Sequence, residues 1–429
     1  MGDDSEDADG SAGTRVSRRD VLGALSVVGT ASVAGCGSLL SGGSTVEPSW
    51  EYDIEEAWAA GPPALVDGRV VVGAQDKALH AVDAGGGDRR LRVETGGWIH
   101  GRPAVPAGGG ESTPIVHAHS ADGDLYGVHL DDGAVWHVEG NHPDALTARA
   151  GGAVVHSPDG EEATSTDTVA YRASDGEELW RHGASAHGVE RGAGRAVIEV
   201  HDPTDVERHF HAALDTTDGT VAWQTDSDNP AVVGIDDDLT VLAGSGRLRG
   251  VDTGDGRQRW RGPLDSHLGF GMGYRFGPLF GAHVYLALEA LDGDNDRERV
   301  AAFDRESGDR RWSESIDGSI RAMTADDHGV YVARYEPKGD GSVIRAIALD
   351  NDGDRRWATN IGQGAADRLL VAGRTVLVNL GHAVHAVDIE SGDERWRYAP
   401  DTREVRIAAD HDAVYASHTH EGRVLALAL

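Results

Sequence analysis

Short apolar runs, four to six residues long and rich in β-branched side chains, recur along the chain, and no long helical period interrupts them. They read "GRVVVG" (68–73), "PIVHAH" (114–119), "GAVVH" (152–156), "GRAVIEV" (194–200), "LTVLAG" (239–244) and "HVYLAL" (283–288). "GVYVAR" (329–334), "RTVLVN" (374–379) and "AVYASH" (413–418) continue the series. Between them stand alternating segments such as "AVHAVD" (383–388), which predict half-buried strands of period two.

Each alternating segment runs into the same punctuation, as in "AVDIESGDERW" (386–396), "AFDRESGDRRW" and "GVDTGDGRQRW". A tryptophan closes it at Trp50, Trp136, Trp180, Trp223, Trp260, Trp312, Trp357 and Trp396, with Leu91 substituting once. Successive copies lie 41, 45, 44, 43, 37, 52, 45 and 39 residues apart. Gly87, Gly176, Gly219, Gly256, Gly308, Gly353 and Gly392 precede this position by four residues, and Gly133 by three. Asp83, Asp215, Asp252, Asp304, Asp350 and Asp388 end the preceding strand. The Asp side chain suits a turn whose amides it can accept, Gly supplies positive φ, and Trp opens the returning strand and packs on the next unit. These residues therefore belong to architecture before they belong to chemistry.

Four short antiparallel strands fit each interval of about 42 residues, the signature of an all-β propeller with four-stranded blades. The chain ends on "RVLALAL", a strand with no turn or Trp after it, while "PSWEYDI" (48–54) carries Trp50 with no strands before it. Joining the two closes the ring: the N-terminal strand completes the C-terminal blade and removes an open edge. Counting the shared unit gives nine blades, with eight as the alternative.

The "A-φ-D-x-x-x-G-x-x-x-W" pattern resembles the pyrroloquinoline-quinone-like (PQQ-like) repeat, over residues 47–429. The resemblance implies a propeller of the kind found both in quinoprotein dehydrogenases and in non-enzymatic lipoproteins of the BamB type. In the enzymes of that family the quinone lies between a tryptophan and a disulfide of adjacent cysteines. A calcium ion held by Glu, Asn and Asp polarises it beside a catalytic Asp.

The single cysteine, Cys36, forbids any such disulfide. Its surroundings give it another role. Arg18 and Arg19 are followed by an apolar stretch, Val21 to Gly35, too short to span a bilayer, and then by "VAGC". Residues 1–36 thus resemble a twin-arginine export signal ending in a lipobox, with Cys36 as the lipidated residue and 37–46 as a flexible tether.

Composition changes the picture once more. With 72 acids against 39 bases, the net charge of −33 excludes a nucleic-acid partner. Only Lys77 and Lys338 are lysines, and this acidic, Lys-poor balance resembles that of proteins from salt-loving archaea.

Two chemistries remain to be weighed. "DGDND" (292–296) begins like a calcium loop but lacks a bidentate Glu at the expected distance. Three H-x-H pairs, His117/His119, His209/His211 and His418/His420, fall on predicted strands, where alternate residues share a face and two imidazoles can meet one metal. No third ligand follows from the sequence. The expectation is a monomeric, non-catalytic binding or scaffold propeller with no catalytic, cofactor or metal residues, and with neither quinone nor calcium. It would be lipid-anchored on the outer face of the cytoplasmic membrane and hold an unidentified protein or small ligand. A quinoprotein dehydrogenase, or a metal- or carbohydrate-binding propeller, is the alternative.

Overall fold

The computed structural model describes residues 44–106, 114–140, 146–150, 152–157, 167–183, 186–192, 194–202, 205–225, 231–244, 246–264, 279–289, 297–338, 341–402 and 404–429. Arg18, Arg19, Cys36 and the "DGDND" loop lie outside them.

The described strands form nine sheets, the blades of a nine-bladed β-propeller, each built on antiparallel strands that follow one another in sequence apart from two strands added from the N-terminal end. In order they are residues 64–94 (blade 1), 104–138, 146–182, 186–224, 231–263, 279–317, 319–362, 368–398 and 405–428 (blade 9). First strands of neighbouring blades lie against one another, so they are innermost, and the Trp-bearing fourth strands form the rim. Blade 2 departs from the expected four strands. Three are formed, and the isolated bridge Ala104↔His117 takes the innermost place.

Closure follows the expected route. Trp50–Asp53 pairs antiparallel with Arg423–Ala428, Trp50 facing Ala426, and supplies the outer strand of blade 9. The stretch read as tether is docked from residue 44 onward, where Ser44–Thr45 adds a parallel fifth strand beside Glu394–Tyr398 of blade 8.

The repeat motif is explained atom by atom. In each blade that carries the Trp a small residue sits directly opposite it across the sheet, as in Ala170↔Trp180, Gly250↔Trp260 and Ala386↔Trp396, because the indole lies over it. The ring then reaches the turn glycine of the next blade. A Cβ on Gly308 would stand 2.2 Å from Trp260, and one on Gly176 2.5 Å from Trp136. The indole N–H donates to a carbonyl of that turn: Trp50 to Ala84 (2.9 Å), Trp223 to Thr253 (2.9 Å), Trp260 to Arg305 (2.8 Å), Trp312 to Asn351 (2.8 Å) and Trp357 to Ile389 (3.0 Å). Trp136 and Trp180 do the same with Ala173 and Thr216, each at 3.2 Å. At the Leu91 position the glycine is Gly133, whose Cβ would lie 2.9 Å from the leucine.

The motif acids serve their own turns. Asp304 Oδ1 accepts from the amides of Glu306 (3.0 Å) and Ser307 (2.8 Å), and Asp388 Oδ1 from Glu390 and Ser391 (3.0 Å each). Arginines on the returning strand meet the other oxygen, Arg90 on Asp83 (2.6 Å), Arg259 on Asp252 (2.5 Å) and Arg311 on Asp304 (2.5 Å). These guanidinium groups, with the turn amides, hold the three carboxyls below the usual carboxylate range.

Apolar clusters lie between blades. Eight are found among the described residues, each drawing side chains from two adjacent sheets, as where Val376, Val378 and Val387 of blade 8 meet Ala346, Ala348 and Trp357 of blade 7. Stability is thereby a sum of neighbour contacts around the ring. The contact between blades 2 and 3 also includes histidines, with His117 bonded to Ala173 O and His119 stacked on His156.

Candidate functional site: a cavity between blades 9, 1 and 2

Eight of the ten tryptophans belong to the repeat. The other two, Trp58 and Trp98, meet. Trp58 lies on the connection from the closing strand to blade 1, and Trp98 on the connection from blade 1 to blade 2. Their rings are edge to face, centroids 5.6 Å apart at 88°, and His100 packs on Trp98 at 5.2 Å. Together with Gln75, Glu404, Arg406 and the hairpin residues Thr419 and His420 of blade 9, they line a cavity of about 340 Å³. Trp58 is 54% exposed, the most open of the large apolar side chains described. An aromatic of this size left in water at a concave site is suited to contact with a bound ring or chain.

The frame around it is rigid. Gly61 N donates to Gly73 O (2.8 Å), Ser417 Oγ to Gly61 O (2.7 Å) and Ala121 N to Trp98 O (2.7 Å). Ile99 packs so tightly on Gly73 that a Cβ there would lie 2.1 Å away. On the rim Arg406 Nη1 donates to Asp367 (2.7 Å) and Nη2 pairs with Glu404, which also accepts from Thr419 Oγ1 (3.0 Å). The cavity thus offers two indoles, two imidazoles and a guanidinium, groups that stack and hold charge.

A second concavity, about 640 Å³, lies on the ring-closure seam and contains a hydrogen-bonded chain. Tyr52 OH meets His80 Nδ1 at 2.9 Å, His80 Nε2 meets Asp76 at 3.0 Å, and Arg92 Nη2 meets the same carboxylate at 3.1 Å. Burial, opposed by Asp76, pulls the His80 pKa down. Tyr52 stands on the closing strand and His80 on the third strand of blade 1, so this chain acts as a clasp across the seam.

The paired histidines do not assemble as ligand pairs. His117 is buried and bonds Ala173 O of blade 3 (3.0 Å) beside Trp136, whereas His119 stacks on His156 at 5.5 Å. His418 is buried between Tyr398 (3.1 Å) and Glu421 (3.1 Å), but the strand ends there. His420 falls in the turn and borders the cavity, so the two do not share a strand face. The His209 side chain lies outside the described residues, and His211 is buried. Among the described residues no three His, Cys, Asp or Glu side chains stand together as a metal site.

Sequence reasoning passed over Trp58, Trp98 and their neighbours. The signal was present in negative form, as two tryptophans out of register with the repeat.

The fold and the repeat define a PQQ-like β-propeller. The family model described as outer membrane protein assembly factor BamB matches residues 43–191, 162–268 and 246–429, and the chain belongs to that family. Among solved structures the chain is similar to BamB from Moraxella catarrhalis at 14% identity, over 90% of this chain and 100% of that one, with a TM-score of 0.49. It is also similar to the computationally designed Ika8 protein at 14% identity, over 88% and 98% of the two chains, with a TM-score of 0.52. Identities this low speak for the fold alone. No curated protein matches the sequence.

Proposed function

We propose that this protein is a non-catalytic binding propeller, lipid-anchored through Cys36 on the outer face of the cytoplasmic membrane, that holds its ligand or partner in the Trp58–Trp98 cavity. One observation carries the reading: the two tryptophans that the repeat does not use converge on one cavity. Membership of a family that includes an assembly factor is in keeping with a binding role, and the export-signal pattern at Arg18, Arg19 and Cys36 supports the location. The motif acids support the lack of catalysis. Each is engaged by its own turn, one blade apart from the next, whereas quinone chemistry requires a base and metal ligands converging on one centre.

Two experiments test this. Cys36→Ser is expected to release the protein from membranes or leave it as full-length precursor, read by fractionation and mass spectrometry; unchanged retention and mass would refute the anchor. Purified protein given pyrroloquinoline quinone and calcium at molar salt is expected to show no substrate-dependent reduction of a dye acceptor. Stoichiometric quinone binding with turnover of an alcohol or sugar would make the protein an enzyme.

A further inference from the structure

In a protein with 72 acids, Arg102 and Arg368 have no acid partner in a salt bridge among the described residues. Strand register exposes them. Ala104 pairs with His117 in blade 2, Leu370 with Leu377 in blade 8, and Ile407 with Ala416 in blade 9. Counting from the third strand of each blade makes His117 equivalent to Leu377, and Ala416 to the residue after it. Arg102, Arg368 and Arg406 therefore occupy one and the same place on the innermost strand of three blades.

They also come together in space. Arg102 Nη2 reaches over blade 1 to donate to Ile407 O at 3.0 Å, and this is its one hydrogen bond among the described residues. Arg368 makes no hydrogen bond or ion pair there, although it feels the field of Asp367. Only Arg406 is paired, with Asp367 and Glu404. Three guanidinium groups thus face two carboxylates, and both carboxylates are bound to the same arginine. Partial burial first, then Arg368 and Arg406, lower the Arg102 pKa to about 10, so it stays charged at neutral pH. Crowded like charges are unfavourable unless something neutralises them. Arg406 lines the cavity itself, and Arg102 follows His100, which also lines it, by two residues.

We propose that the cavity binds a small organic anion bearing a ring, its carboxylate or phosphate held by Arg102 and Arg368 and its ring laid on Trp58. The inference rests on the binding role of this cavity and adds the class of ligand. Guanidinium groups offer paired donors to planar or tetrahedral oxyanions, and the open indole offers a face to a saccharide or aromatic ring. The volume of about 340 Å³ admits a small molecule and not a folded partner.

The test is calorimetric titration in molar potassium chloride with four probes: glucuronate, glucose 6-phosphate, glucose and inorganic phosphate. At least one anionic sugar is expected to bind about tenfold more tightly than either glucose or phosphate, as one charged contact would give. The better of the two anionic sugars identifies the acid. Arg368→Gln, which breaks no bond among the described residues, should remove most of that advantage without lowering the melting temperature, and Arg102→Gln/Arg368→Gln should abolish it. Trp58→Ala should weaken both anionic sugars. Equal binding of glucose and glucuronate, an advantage untouched by the arginine substitutions, or no binding by any probe overturns the inference. The wider binding role is judged separately, by whether wild type and Trp98→Ala differ in what they capture from membranes.

Discussion

Lowering the pH from about 6.5 to about 4.5 is expected to loosen the contact between blades 2 and 3. His117 and His156 are both buried at this seam, and burial lowers each pKa from 6.5 to about 3. Both are neutral in the folded protein, while the unfolded chain takes up a proton on each below 6.5. Their contribution is complete above that pH and declines as the pH falls toward 3, by about 1.4 kcal/mol per histidine per pH unit. Two units thus cost up to about 5 kcal/mol, half or more of a typical domain's stability. Protonated His156 would also face His119, stacked 5.5 Å away. The turn carboxylates, with pKa values held low, give up most of their share below about 4, so that loss follows mainly at lower pH. Melting curves at fixed molar salt between pH 7 and 4.5 decide it, with His117→Gln/His156→Gln as comparison. A wild type whose melting temperature does not move across that window would show that these histidines are not buried and neutral.

The second large effect lies at a turn glycine. Gly308→Ala is expected to destabilise the protein by about 3 to 5 kcal/mol, adding the cost of a side chain in the left-handed region to that of driving it into Trp260. The φ is +71°, and the new Cβ would fall 2.2 Å from the indole. Gly68 supplies the control, for its φ is +67° and nothing lies within 4 Å of an added Cβ. Gly68→Ala should cost about 1 to 2 kcal/mol, the backbone part alone. Denaturant midpoints of both variants at molar salt measure the difference. Equal losses would mean that the tryptophan seat contributes nothing.

These glycines and tryptophans were legible because the same physical task recurs once per blade, and repetition separates a pattern from chance. Trp50 without preceding strands and "RVLALAL" without a following turn likewise revealed the closure, since each is half of one unit. The candidate site was hidden for the converse reason. Trp58 and Trp98 sit in connections of irregular length, where nothing repeats. Arg102, Arg368 and Arg406 follow one rule, but nine residues separate Ala104 from Pro114 in blade 2, and only pairing with the second strand restores the register. His418 and His420 failed for want of one boundary: alternation places both on one face only while the strand continues, and it stops at His418. The docking of Ser44–Thr45 was invisible because two residues carry no period.

Sharing one blade between Trp50–Asp53 and Val405–Ala428 makes assembly order part of the design. The closing strand leaves the ribosome before any strand of blade 1, yet its partner at Ala426 lies 376 positions later. Every intermediate length of nascent chain therefore carries two unsatisfied edges, one at each end of an incomplete arc. Such edges invite pairing with another copy, and slow long-range closure prolongs the exposure. The Tyr52–His80–Asp76–Arg92 chain matters most at that moment, because it can form as soon as blade 1 exists and keep the first strand in place while the remaining blades are made.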